Sequence, residues 1–112
     1  GYNAHMPSND KGVISPTAAI SSIVYTPAES LAAMRNFYEN NSGTMWGPAG
    51  FYDAHSTHFG WSAKRYLAID QGPMVVMIEN YRTGLLWNLF MNAPEVRQGL
   101  INLGFHSGKH GF

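Results

Sequence analysis

Residues 66–87 decide the fold class, and they read Tyr-Leu-Ala-Ile-Asp-Gln-Gly-Pro-Met-Val-Val-Met-Ile-Glu-Asn-Tyr-Arg-Thr-Gly-Leu-Leu-Trp. Two carboxylates, one Asn and one Arg interrupt a segment that is otherwise almost wholly apolar. A helix on a protein surface confines its apolar residues to one stripe, whereas a helix that is apolar all round is buried. Buried charges are costly unless they are paired or hydrogen-bonded. We therefore expect this helix to form the wall of a polar pocket inside a larger fold.

The composition of the 112-residue chain also indicates a part of a larger protein. Charged residues make up 12%, about half of the roughly 25% that is typical of soluble domains. A chain with so little charge covers its own surface poorly if it folds alone. Its length fits one segment, residues 1–112, without a second domain.

Charge and residue types exclude several classes of function. Seven basic and seven acidic residues balance, so no basic stripe predicts nucleic-acid binding. No apolar run reaches the ~20 residues that span a bilayer. The chain has no cysteine, and His55 and His58 have no third ligand nearby, so we expect neither a zinc site nor any other metal. No phosphate-binding glycine loop or nucleophile motif is present, which leaves carboxylate acid–base chemistry without a cofactor.

Apolar spacing predicts an all-α fold with four or five helices. The first runs from Ser15 to about Val24, with the Ser15 side chain as its N-cap. The second follows a capping box at Thr26 and runs to about residue 39. The third starts near Asp70, with Gly84 as a bend or stop, and two short helices follow over residues 85–91 and 93–104. The tail after Phe105 is expected to be mobile.

Residues 40–65 are expected to form a long aromatic-rich loop or a short hairpin. Residues 40–43 read Asn-Asn-Ser-Gly and are typical of a break in regular structure. Five aromatic residues argue against disorder, and a strand or hairpin is predicted around residues 50–59. Trp46 and Trp61 are candidate platforms for a sugar ring, although large aromatic residues more often belong to a core.

Asp70 is the leading candidate for chemistry, with two interpretations left open. It can cap the helix that starts there, or it can act as a general base at the mouth of a buried helix. Glu79 and Arg82 are three residues apart and form either a buried structural ion pair or part of a pocket lining. Asp53 either caps a turn or lines a sugar site.

Three segments together resemble the C-terminal part of the bacterial glucoamylase-like family, which includes endo-β-1,2-glucanases. They are residues 12–19 with 25–27, residues 47–54, and residues 69–73 with 78–87. The resemblance covers roughly residues 2–105 in consistent order. It implies that this chain supplies the last helices of an (α/α)6 toroid. The rest of the toroid is then the partner of this chain, and the two together form one catalytic domain.

The resemblance also implies hydrolysis of a β-linked glucan with inversion, using one carboxylic acid and one carboxylate. It further implies that Asp70, in the Ile-Asp-Gln-Gly-Pro motif, is a catalytic carboxylate that acts as the base. The partner acid is expected outside this chain, so that the segment alone is inactive. The positions that match cleft-facing motif residues, and so are expected to bind substrate, are His5, Asp10, Trp46, Tyr52, Asp53, Glu79 and Arg82. The family also suggests a periplasmic or secreted protein.

Two departures from the family pattern affect the expected substrate. Lys11 stands where a second acidic residue is expected, and His55 stands where an aromatic residue is commoner. Two other functions remain open: a carbohydrate-binding remnant without catalysis, and a structural helical domain in which Asp70 only caps a helix.

Overall fold

The computed structural model describes residues 6–112, and within this range the chain forms five α-helices and four short strands. The elements are α1 (Pro16–Ser21), α2 (Pro27–Met45), β1 (Trp46–Gly47), β2 (Gly50–Phe51), β3 (Ala54–Ser56), β4 (Trp61–Ala63), α3 (Ala68–Thr83), α4 (Leu85–Asn92) and α5 (Pro94–Asn102). Single 3-10 turns cover Pro7–Asn9 and Gly108–His110. The protein is therefore mostly helical with two small antiparallel sheets, and the all-α expectation is met only in part.

Helices α1, α2 and α5 each begin with a proline, which suits the first helical position because its missing N–H has no partner there anyway. Ser15 and Thr26 occupy the N-cap positions of α1 and α2, but neither side chain makes a capping hydrogen bond. The Ser15 hydroxyl instead lies 2.7 Å from that of Thr17, and the Thr26 hydroxyl donates to the Ser22 carbonyl. The two predicted side-chain caps are therefore wrong.

Helix α2 continues through residues 40–43, where the sequence predicts a break. The reason is the burial of Met45 in the last turn, where it joins the core formed with Ile20, Phe37 and Phe51. A helical glycine costs about 1 kcal/mol relative to alanine, whereas burying a Met side chain contributes about 1.5–3 kcal/mol. Tertiary packing thus outweighs the local signal.

The predicted hairpin region contains two hairpins instead of one. Strands β1 and β2 pair antiparallel with Trp46 opposite Phe51, and β3 and β4 pair with Ala54 opposite Ala63. A bridge between Ile14 and His55 ties the second hairpin to the chain that precedes α1.

Helix α3 packs on the core and faces α1, and it leaves its outer face open. Met74 and Ile78 pack against the core residues, whereas the Val75 side chain is 64% exposed. The expectation of a helix buried all round is therefore not met in this chain, because no segment of residues 6–112 covers its outer face. Helix α3 ends at Gly84, which has φ +70° and turns the chain into α4, as predicted.

The C-terminal tail is held against α5 by Arg97. Its guanidinium donates to the carbonyls of His110 and Gly111, at 2.5 and 3.3 Å, and lies over the Phe112 ring. The tail is thus anchored, in contrast to the predicted mobile end. None of the helices in residues 6–112 has the length and hydropathy needed to cross a membrane.

Candidate active site

Asp70 is the third residue of helix α3, and Leu67 occupies the N-cap position. The interpretation of Asp70 as the N-cap is therefore wrong. An acidic residue in the first turn still interacts favourably with the helix dipole. The half-buried Asp70 lines a cavity of about 280 Å³ between α3 and α1, together with Ser15, Thr17, Ala18, Ser21, Ile69 and Pro73.

The α1 side of this cavity carries three hydroxyl residues, Ser15, Thr17 and Ser21, beside Ala18. Ser15 and Thr17 share a hydrogen bond of 2.7 Å between their hydroxyl groups, and Thr17 is buried. A carboxylate beside hydroxyl groups in a space of this size can accept a proton from a water molecule or from a sugar hydroxyl. The arrangement is suited to general base chemistry.

Gln71 connects the Asp70 turn to the strand region and was not predicted as a site residue. Its side-chain amide Nε2 donates to the carbonyl of Phe51 at 2.9 Å. The sequence gives no signal for this contact, because the acceptor is a backbone oxygen 20 positions away.

Tyr52 lies close to Tyr66, with 5.5 Å between the ring centroids. The Tyr66 hydroxyl accepts from the Ala49 amide at 3.1 Å. A Cβ atom on Gly47 would lie only 2.5 Å from Tyr52 Cζ, so the close approach of backbone to ring requires glycine there. These contacts fix the half-buried Tyr52 ring beside the first hairpin.

Trp46 is 44% exposed, and its ring is packed edge-on by Tyr38 at 5.1 Å and Phe51 at 4.8 Å. It lines a depression of about 880 Å³ along α2 that does not include Asp70. The larger depression has Glu39 and Arg35 in its lining, and the smaller one has Asp70. Within the described residues, Trp46 and Asp70 therefore do not share a cavity.

Asp53 is buried and paired with Arg65, with 3.8 Å between Asp53 Oδ2 and Arg65 Nε. The Asp53 amide also donates to the Arg65 carbonyl at 3.1 Å. The two residues flank the second hairpin, so the pair closes its open end.

Glu79 and Arg82 form the expected ion pair, with 3.5 Å between Oε2 and Nη1. The pair is solvent-exposed in this chain, in contrast to the buried pair expected, because the outer face of α3 is uncovered. The Thr83 hydroxyl donates to the other Glu79 oxygen at 2.9 Å. Nine residues of helix separate Glu79 from Asp70 by about 14 Å along the axis, so the structure does not bring the two together.

Of the remaining residues singled out from the sequence, His5 and Asp10 stand near the start of the chain and His55 lies in β3. His5 lies outside the described residues. Asp10 accepts the Gly12 amide at 2.7 Å in an exposed turn. His55 is buried, and its ring nitrogens lie 2.9 Å from the Ser62 hydroxyl and 3.2 Å from the Thr57 hydroxyl. Across residues 6–112 no group of three or more His, Asp or Glu side chains is placed to hold a metal ion.

Comparison with known proteins identifies the family. Residues 1–94 match the Glycoamylase family, which is described as "Putative glucoamylase". The chain belongs to this family. A curated relative from Parabacteroides distasonis, an exo β-1,2-glucooligosaccharide sophorohydrolase acting at the non-reducing end, is 46% identical over 95 residues. That alignment covers 85% of this chain and 13% of the relative.

Two solved structures are also similar to this chain. The endo-β-1,2-glucanase from Chitinophaga pinensis, in complex with sophorotriose and glucose, is 56% identical with a TM-score of 0.89. A protein from Bacteroides uniformis described as a putative glucoamylase is 60% identical, also with a TM-score of 0.89. Each alignment covers 96% of this chain and 26% of the other chain, so this chain spans about a quarter of their length.

Proposed function

We propose that the chain is part of the catalytic domain of an inverting glycoside hydrolase that cleaves a β-linked glucan, with β-1,2-glucan as the favoured substrate. The observation that supports this most strongly is the 56% identity to an endo-β-1,2-glucanase over 96% of the chain. The proposed domain is an (α/α)6 toroid in which this chain supplies the last helices. The remainder of the domain is its partner, and the protein is periplasmic or secreted.

In the proposed mechanism Asp70 is the general base. Its carboxylate accepts a proton from a water molecule, and the water oxygen bonds to the anomeric carbon as the glycosidic bond breaks. A carboxylic acid from the remainder of the domain gives its proton to the departing oxygen, which balances the reaction. Inverting enzymes place the two carboxyl groups about 6.5–9.5 Å apart to leave room for the water.

The proposed substrate contacts are His5, Asp10, Trp46, Tyr52, Asp53, Glu79 and Arg82. Trp46 and Tyr52 offer ring faces for stacking on sugar, and both belong to the segment that Gln71 ties to α3. Of these residues, Asp53 is also paired with Arg65 at the end of the second hairpin.

The test is hydrolysis of linear β-1,2-glucan by the full-length protein, with β-1,3- and β-1,4-glucans as controls. We expect the β-1,2-linked polymer to be cleaved fastest, and the product to appear first as the α-anomer by NMR. An initial β-anomer would contradict inversion. Binding of β-1,2-glucan without hydrolysis would instead identify a carbohydrate-binding remnant and overturn the enzymatic proposal.

A further inference from the structure

The first turn of α3, which carries Asp70, lacks one of the usual backbone hydrogen bonds of a helix. Pro73 has no amide hydrogen, so the Ile69 carbonyl receives no helical hydrogen bond from position 73. Gly72 adds conformational freedom to the same turn. Two backbone hydrogen bonds to the Leu67 carbonyl, of 3.0 and 2.9 Å, hold its start. The orientation of the Asp70 carboxylate therefore depends on contacts made outside the helix.

Gln71 supplies such a contact through its hydrogen bond of 2.9 Å to the Phe51 carbonyl. Phe51 is a rigid acceptor, because its side chain is buried in the core and its ring meets those of Phe37 and Trp46 edge-on. A bond from the first turn to this strand resists rotation of the turn about the helix axis.

The position of Gln71 on α3 explains why this hydrogen bond affects the orientation of the Asp70 side chain. Gln71, Met74 and Ile78 follow one another at helical spacing on the face turned to the core, where Met74 and Ile78 pack. Asp70 is one residue earlier and so points about 100° away, towards the cavity beside α1. Any rotation that breaks the Gln71 bond moves the carboxylate in that cavity.

We infer that Gln71 is a positioning residue, whose hydrogen bond to the Phe51 carbonyl sets where the Asp70 carboxylate lies. The inference rests on the proposed function for Asp70. Gln71 itself does not touch the substrate. Its removal therefore affects the step that Asp70 carries out, and leaves the substrate-binding surface in place.

The experiment compares Gln71→Met and Gln71→Glu in the full-length protein. Methionine keeps the length of the side chain without a donor, and glutamate keeps its shape but turns a carboxylate towards the Phe51 carbonyl. The matched controls are Gln98→Met and Gln98→Glu, because Gln98 is an exposed helical glutamine bonded to Asn102.

For hydrolysis of β-1,2-glucan we expect both Gln71 variants to lower kcat roughly 10- to 100-fold, since displacing a reacting group by about 1 Å costs up to 10²-fold. KM should stay within about twofold of the wild type, because binding contacts remain. The Gln98 variants should match the wild type in both constants. An unchanged kcat, or a rise in KM alone, would overturn the inference.

Amide hydrogen exchange provides a readout that needs no substrate. We expect the amides of residues 71 and 72 to exchange faster in both Gln71 variants, with residues 76–82 unchanged. Unchanged exchange at 71 and 72, or failure of both variants to fold, would contradict a positioning role. If the wild type hydrolyses no β-glucan, the proposed function fails, while faster exchange still supports Gln71 as the residue that holds this turn.

Discussion

At the scale of single residues, the exposure of Trp46 separates a sugar contact from a core role. Its ring is 44% exposed although Tyr38 and Phe51 pack against it. We expect Trp46→Ala in the full-length protein to raise KM for β-1,2-glucan, because a stacking platform is lost.

Phe51→Ala is the control for Trp46→Ala, since Phe51 is buried in the same ring cluster. Truncating a buried Phe costs about 3–5 kcal/mol, and thermal unfolding should show a much smaller loss for Trp46→Ala. A fall in Tm as large as that of Phe51→Ala, with KM unchanged, would assign Trp46 to the core.

At the scale of elements, the junction between α3 and α4 shows a cap supplied by the preceding helix. Gly84 precedes α4 and has no side chain with which to cap it. The Asn80 side-chain oxygen accepts the Trp87 amide at 3.0 Å instead, and the Thr83 hydroxyl accepts the Leu85 amide at 3.2 Å. Asn80 is buried, and its Nδ2 has no hydrogen-bond partner among the described residues. The capping bond is therefore the stabilising contact that Asn80 offers.

We expect Asn80→Ala to lower the free energy of unfolding of the full-length protein by about 0.5–2 kcal/mol, the usual cost of a lost cap. Asn102→Ala is the control, because Asn102 is exposed and bonded only to a side chain of its own helix. Changes at such surface positions stay within about 0.5 kcal/mol. Chemical denaturation that gives equal values for the two variants would show that the Asn80 cap contributes nothing.

The elements that could be predicted from the sequence are those whose signals are local. Pro16 and Pro27 mark where α1 and α2 begin, and Gly84 marks where α3 ends, because each constrains its own backbone. The last turn of α2 could not be predicted, since burial of Met45 against residues distant in sequence overrides the Asn-Asn-Ser-Gly signal.

In the candidate site, the sequence pointed to Asp70 but not to the contacts around it. The Ile-Asp-Gln-Gly-Pro motif pointed to Asp70, whose place in the first turn of α3 removes the capping alternative. Neither the hydroxyl groups of Ser15 and Thr17 beside Asp70 nor the bond from Gln71 to Phe51 follows from spacing, because both join segments far apart in sequence.

At the scale of the whole molecule, the segment is too extended to be a compact domain. Its radius of gyration is 17.5 Å, against about 13 Å for a globular domain of this length. Apolar side chains remain exposed on the outer helices, among them Val75, Leu85, Leu89 and Phe90. Extensive exposed apolar surface is rare on soluble monomers, and the proposed remainder of the domain would cover it.

Expressed alone, residues 1–112 should therefore aggregate or self-associate through this face. The sequence predicts that Val75, Ile78, Leu85 and Leu86 take part. Ile78 is half-buried against the core and Leu86 is also half-buried, so Val75 and Leu85 are the more exposed of the four. Size-exclusion chromatography and thermal unfolding provide the measurement. A monomer with a sharp, cooperative unfolding transition would contradict the expectation.

Asp70→Asn in the full-length protein tests directly whether Asp70 is the catalytic base. Its matched control is Glu29→Gln, because Glu29 occupies the same third position in the first turn of α2. Loss of an acidic charge there weakens the helix dipole interaction by about 0.3–1 kcal/mol, so both variants should lose little Tm. We predict that Asp70→Asn lowers kcat for β-1,2-glucan by roughly 10²–10⁴-fold, whereas Glu29→Gln keeps wild-type activity. Wild-type hydrolysis by Asp70→Asn would contradict a catalytic role for Asp70 and leave it with a structural role only.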